Sequence, residues 1–159
     1  MSLTQLRNLG IVTNAGISTT KLGAGAVLQV TQITSGISIS TSSTSFVTTG
    51  IEHSITPSSA SNKILIMIQG YGGTFNFVSA QTTYLAIFKG ATQLYTSSCT
   101  FNSNNNQANS FSLIFLDSPA TTSSTTYTLR FRINGAGATA EIRPDGISET
   151  SVLLMEIKG

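Results

Sequence analysis

The stretch Tyr127-Thr-Leu-Arg-Phe-Arg-Ile133 alternates large apolar residues with threonine and arginine. Successive side chains of a β-strand point to opposite faces of its sheet, so this period of two predicts a strand with one buried face. The turn sequence Asn134-Gly-Ala-Gly137 follows and predicts that the chain reverses into another strand at 138–143. The stretch therefore indicates an antiparallel sheet.

The same pattern recurs between turn clusters over most of the chain, and no helical periodicity follows Leu9. About nine or ten short strands are predicted, at the spacing of roughly 8–12 residues that is typical of β-sandwiches. We therefore expect an all-β fold, an antiparallel β-sandwich of jelly-roll type, as a head domain over residues 25–159.

Clusters of glycine and polar residues predict where the strands end. We expect Gly70-Tyr-Gly-Gly73 to end a strand at 64–68, and the polar residues 102–109 to form a loop. Lys89-Gly-Ala91 predicts a hairpin turn. Residues 45–49 and 51–56 are predicted as separate strands.

Three predicted strands are apolar at odd and even positions alike: 64–68, 111–116 and 152–155. A two-layer sandwich buries only one face of each sheet, so the second face needs cover from elsewhere. Burial of even a few hundred Å² contributes several kcal/mol at roughly 25 cal/mol per Å². We therefore expect the chain to associate with itself, and the resemblance described below favours a homotrimer.

Residues 1–24 differ from the rest because their apolar side chains are isolated among Asn, Gly, Ser and Thr and cannot form a core. We interpret this segment as an extended attachment arm that becomes ordered on another protein. Its expected anchors are Leu6, Ile11, Val12, Ile17 and Leu22.

The composition argues against several classes of protein. Ser and Thr account for 47 of the 159 residues, and only 14 residues are charged. The eight Lys and Arg residues are dispersed, with a net charge of +2, so no nucleic-acid surface is expected. The sequence has no secretion signal or apolar run long enough for a membrane helix, and predicts a soluble chain folded in the cytoplasm where it is made.

Few residues are suited to catalysis. His53 is the only histidine and Cys99 the only cysteine, so no metal site, triad or intrachain disulfide is expected. Glu141 and Asp145 are the best carboxylate pair, but Arg143 between them favours a salt-bridged turn. The chain is expected to be neither an enzyme nor a cofactor binder.

Two features are candidates for ligand contact. Aromatic residues surround a glycine-rich turn, and an amide-rich loop follows Phe101. Aromatic rings with amides suit a host glycan, whereas polar loop tips are often only solvated turns, and both interpretations stay open. The residues concerned are Tyr71, Phe75, Phe77, Asn102, Asn104 and Asn106.

Four blocks, in order, resemble virion surface and tail-fibre proteins of tailed phages, especially marine and cyanobacterial ones. They are Gly16-Ile-Ser-Thr-Thr-Lys-Leu-Gly-Ala-Gly-Ala-Val-Leu-Gln-Val30, Ser54-Ile-Thr-Pro-Ser-Ser-Ala-Ser-Asn-Lys-Ile-Leu-Ile66, Phe115-Leu-Asp-Ser-Pro-Ala-Thr-Thr122 and Ser151-Val-Leu-Leu-Met-Glu-Ile157. Together the blocks span most of residues 16–159.

This resemblance implies a trimeric β-sandwich head displayed on the virion surface, made in the host bacterium and attached by its N-terminal segment to a major capsid or tail protein. Because the arm is short, a capsid decoration (cement) protein or a short fibre or knob fits better than a long fibre. The alternative is a receptor- or glycan-binding module of a tail fibre.

Overall fold

The computed structural model describes residues 21–76, 81–101, 107–143 and 145–159, with the side chains of 99–101 outside that description. These residues form ten β-strands: β1 (Val27–Ser35), β2 (Ile39–Thr41), β3 (Val47–Ile55), β4 (Lys63–Phe75), β5 (Gln81–Lys89), β6 (Thr92–Phe101), β7 (Gln107–Asp117), β8 (Thr125–Ile133), β9 (Thr139–Ile142) and β10 (Thr150–Ile157). No helix in this part of the chain is long and apolar enough to cross a membrane.

The strands form two antiparallel sheets. In the larger sheet, β1, β10, β4 and β7 lie side by side, and the short strands β9 and β2 continue beside the second half of β4. The smaller sheet has the order β3-β8-β5-β6. Strands near the start of the chain thus pair with strands near its end, β1 with β10 and β3 with β8, as in a jelly roll. The predicted fold class is confirmed.

The core lies between the two sheets and is filled by the inward residues of alternating strands. β8 supplies Tyr127, Leu129, Phe131 and Ile133, all without solvent exposure. β4 supplies Ile64, Ile66 and Ile68 from the opposite sheet, also fully buried. The period of two read from 127–133 therefore predicted the buried face of β8 correctly.

The prediction that Gly70-Tyr-Gly-Gly73 ends a strand is wrong, because β4 continues through it to Phe75. β7 pairs with one edge along this whole stretch, and β9 takes over from β10 on the other edge. A Cβ on Gly73 would lie 2.0 Å from the carbonyl oxygen of Gln107. The glycines are needed for this close approach and do not break the strand.

Two further boundaries are corrected. Residues 45–49 and 51–56 are not separate strands, because β3 runs from Val47 to Ile55. Its register against β8 shifts between Thr48 and Glu52, where Gly50 has a φ of 76° and absorbs the irregularity. The loop predicted over 102–109 is wrong for residues 107–109, which belong to β7, and residues 102–106 lie outside the described residues.

A partly buried ion pair joins the two sheets. Asp117 at the end of β7 is 6% exposed and accepts hydrogen bonds from Lys89 Nζ at 2.8 and 3.0 Å. It also accepts from the Tyr127 hydroxyl at 2.8 Å. Burial and this carboxylate raise the pKa of Tyr127, which stays protonated as a donor. All three polar groups are therefore satisfied between the sheets.

A second buried carboxylate fixes the loop between β3 and β4. Glu156 is 1% exposed and accepts hydrogen bonds from Asn62 Nδ2 at 2.6 Å, Gln29 Nε2 at 2.7 Å, the Ser58 backbone N–H at 2.6 Å and the Ser58 hydroxyl at 2.8 Å. Burial raises the pKa of this carboxyl, but the donors Asn62, Gln29 and Ser58 lower it more, and the net result lies below its ordinary 4.5. The charged form is stabilised without a cation.

Because its folded-state pKa is lowered, Glu156 contributes stability that is present above pH 4.5 and lost as the pH falls through the folded value. Glu156→Gln is expected to lower the free energy of unfolding by about 1–3 kcal/mol at neutral pH, since four donors lose a charged acceptor. It should also flatten the acid dependence of that free energy. Urea unfolding over a pH series measures both.

The exposed Glu149→Gln is the matched control for Glu156→Gln, with neither effect expected. An unchanged acid dependence in Glu156→Gln would contradict the role assigned to this carboxylate.

Gly73→Ala should lower the free energy of unfolding by about 1–3 kcal/mol, because its Cβ would overlap the backbone of β7. Gly23→Ala is the control, since a Cβ there meets nothing within 4 Å. Thermal unfolding of both variants provides the comparison. Equal midpoints would mean that β4 and β7 do not approach as closely as described.

Candidate functional site

The outer face of the larger sheet is apolar across four neighbouring strands. In one row, Val30 pairs with Met155, Met155 with Leu65, and Leu65 with Leu116. In the next row, Leu153 pairs with Met67 and Met67 with Ile114. These side chains point away from the core because their neighbours along each strand point into it. We call this set the apolar patch: Val30, Leu65, Met67, Ile114, Leu116, Leu153 and Met155.

The apolar patch is open to solvent in the single chain. Val30 is 52% exposed, Ile114 54% and Leu116 47%, while the members in the two central strands are half-buried by their neighbours. Contiguous apolar surface of this kind on a single chain marks an interaction site more often than scattered single residues do. The prediction that these strands are apolar on both faces is confirmed.

A depression of about 530 Å³ with a mixed polar and apolar lining borders the apolar patch. It lies on the edge of β4 at which pairing with β10 ends and pairing with β9 begins. Its lining therefore includes residues from the next rows of the sheet and from the loop before β10. The lining combines aromatic rings with hydroxyl, amide and carboxylate groups and consists of Gln69, Gly70, Tyr71, Ser110, Phe111, Ser112, Ser148, Glu149 and Ser151.

The predicted contact residues are only partly brought together. Tyr71 lines the depression, and Phe75 lies at the end of β4 on the same face, about 13 Å further along the strand. Both are half-buried. The other predicted contacts, Phe77, Asn102, Asn104 and Asn106, lie outside the described residues.

Of the predicted anchors in the arm, only Leu22 lies in the described part of the chain. Its carbonyl accepts a hydrogen bond from Lys158 Nζ, just beyond β10. Nearby, the Gly25 N–H donates to the Lys158 carbonyl at 2.8 Å. Residues 22–25 thus run beside the end of β10. The remaining predicted anchors, Leu6, Ile11, Val12 and Ile17, lie outside the described residues.

The carboxylate pair considered for catalysis, Glu141 and Asp145, does not form a site, because each residue belongs to a different local structure. Asp145 caps the loop before β10, where the Ser148 hydroxyl and the Ile147 N–H bind it and lower its pKa. Glu141 lies on the outward side of β9 opposite Gly73, and burial raises its pKa. No hydrogen bond joins the two.

His53 is also isolated. It lies in β3, burial lowers the pKa of its imidazole, and its Nε2 has no hydrogen-bond partner among the described residues. Among the described residues, no three His, Cys, Asp or Glu side chains are grouped as metal ligands would be.

Comparison with known proteins adds information about the fold alone. No family model and no curated protein matches the sequence. Among solved structures, the chain is similar to dimeric latent PorU from Porphyromonas gingivalis, with a TM-score of 0.51 at 9% identity. That match covers 90% of this chain but only 14% of the PorU chain.

Weaker matches include the Gx strain of infectious bursal disease virus, at 12% identity and a TM-score of 0.43, covering 83% of this chain and 38% of that one. The VP2 subviral particle of the same virus matches at 10% identity and a TM-score of 0.40, covering 90% and 40%. These two scores are too low to support an inference about this chain.

The raised pKa of Glu141 gives a pH dependence opposite in sign to that of Glu156. Because the folded state disfavours its charge, protonation as the pH falls stabilises the fold. Glu141→Gln should raise the free energy of unfolding at neutral pH, by less than about 1 kcal/mol because solvent screens a half-exposed group. The gain should vanish near pH 4, which urea titrations at about that pH and at neutral pH can measure. A lower free energy of unfolding for Glu141→Gln at neutral pH would contradict this prediction.

Proposed function

We propose that this chain is a non-enzymatic structural protein of a tailed-phage virion, displayed on the particle surface as a capsid decoration protein or a short fibre knob. The observation that carries the proposal is the apolar patch on the outside of a complete jelly roll. Because the core of the domain is already filled, an apolar outer surface contributes no stabilisation unless another protein molecule covers it.

The apolar patch is proposed to hold copies of the chain together as a homotrimer. Four strands about 4.8 Å apart and two rows of side chains give it a footprint on the order of 300 Å². A stable interface buries roughly 800 Å² on each partner, so the patch is the apolar centre of a larger contact. The Ser, Thr and Gln side chains in the adjoining rows suit a polar rim.

The composition supports a role in an assembly. With 14 charged residues in 159, the surface presents hydroxyl groups where other proteins present charges. Hydroxyl groups can be buried in an interface at lower cost than ions, because fewer charges must be desolvated. The order of the four sequence blocks that resemble phage surface proteins supports the assignment to a virion. Attachment through the N-terminal segment to a capsid or tail protein is part of the same proposal.

The double variant Ile114→Thr/Leu116→Thr tests the assembly surface. Both positions are exposed strand positions where threonine is well tolerated, so the fold should persist. We expect the wild-type chain to sediment as a trimer at micromolar concentration and the double variant as a monomer. Sedimentation equilibrium measures the mass, and circular dichroism checks the fold.

Ile147→Thr is the matched control, because Ile147 is 81% exposed but lies outside the apolar patch. The control should stay trimeric. A wild-type chain that is monomeric at all concentrations, or a double variant that remains trimeric, would overturn the proposed assembly.

A further inference from the structure

The outer face of the smaller sheet differs from the apolar patch because arginines cover its aromatic side chains. Arg130 and Arg132 lie on the outward side of β8, between core residues that are fully buried. The Arg132 guanidinium lies 4.1 Å from the ring centre of Tyr84, and that of Arg130 lies 4.3 Å from the ring centre of Phe88. Each stack places a cation over the negative face of a ring.

Phe46 joins the two stacks. Its ring lies 5.2 Å from the Arg132 guanidinium and meets Phe88 edge to face at 5.5 Å. These contacts fix both arginines in place before any ligand arrives, which lowers the entropy lost on binding. We call this cluster the arginine face: Phe46, Tyr84, Phe88, Arg130 and Arg132.

Neither arginine forms an ion pair with a described residue. The described residues contain one ion pair, between Lys89 and Asp117, and no carboxylate oxygen lies within 4.0 Å of either guanidinium. Arg130 donates to the Gly90 carbonyl and Arg132 to the Ile133 carbonyl. Arg130 Nε has no acceptor in the described part of the chain. Two residues apart on one strand, the arginines also repel each other.

The surroundings favour a hydroxylated ligand over a protein. Register places exposed hydroxyl side chains beside the cluster: Ser98 opposite Tyr84 and Thr48 opposite Arg130. The apolar anchor that a protein partner needs is missing, because Phe88 is only 7% exposed beneath its arginine. The stacked guanidiniums also occupy the ring faces on which nucleic-acid bases would stack.

We propose that the arginine face binds an acidic polysaccharide, with Arg130 and Arg132 donating to the carboxylates of its sugar units. Guanidinium groups bind carboxylates through paired hydrogen bonds, and the exposed hydroxyls of Ser98 and Thr48 can bind sugar hydroxyls. This site lies on the opposite sheet from the apolar patch. It therefore does not rest on the proposed assembly, and either proposal can fail alone.

Binding of the full chain to polygalacturonate, neutral dextran and polyglutamate, measured by biolayer interferometry, tests the proposal. We expect binding to polygalacturonate that weakens as salt is raised, no binding to dextran, and binding to polyglutamate at least about tenfold weaker. Equal binding to polyglutamate would indicate an acidic protein as the partner and overturn the polysaccharide. No binding to polygalacturonate would also overturn it.

Three variants assign the binding to the arginine face. Arg130→Gln/Arg132→Gln should abolish binding to polygalacturonate. Arg132→Lys keeps the charge and the stem over Tyr84 but loses the paired hydrogen bonds, so a folded protein with about tenfold weaker binding is expected. Lys63→Gln removes an exposed cation from the other sheet and should bind as wild type. Wild-type binding by a folded Arg132→Lys, or loss in Lys63→Gln equal to that in Arg132→Lys, would contradict the site.

Discussion

The alternation of side chains along a paired strand is the constraint from which the rest of this structure follows. β4 is hydrogen-bonded on both edges, so it can neither rotate nor shift by one residue without breaking two ladders at once. Ile64, Ile66 and Ile68 fill the core, and the same geometry necessarily turns Leu65 and Met67 outward. An apolar outer surface is the consequence, since one core can take only one of the two faces.

The outer faces of the two sheets differ in whether their apolar side chains are covered. On the smaller sheet, the aromatic rings of Tyr84 and Phe88 lie under stacked guanidiniums, so water meets nitrogen atoms instead of carbon. On the larger sheet nothing in the described chain covers Ile114 or Leu116. The buried carboxylates of Asp117 and Glu156 are hydrogen-bonded within the domain, whereas the exposed apolar area on the larger sheet has no partner among the described residues.

The local pattern predicted the strands but not the contacts between them. Alternation identified the buried face of β8, the strands that are apolar on both faces, and the hairpin at Gly90, whose φ is 59°. Gly70-Tyr-Gly-Gly73 was misjudged because a strand interior tolerates glycine only where neighbours approach closely, which depends on β7 and β9. The burial of Glu156 and the arginine face were missed for the same reason, since their partners are distant in sequence.

The central claim, that a neighbouring copy covers the apolar patch, is tested most directly by the oxidation of Met67 and Met155, which both lie within it. Their rates of sulfoxide formation with dilute hydrogen peroxide can be followed by mass spectrometry across a dilution series, with free methionine as the reference. The account predicts slow oxidation at high protein concentration and a rise in both rates on dilution. Rates that stay the same at every concentration would contradict it.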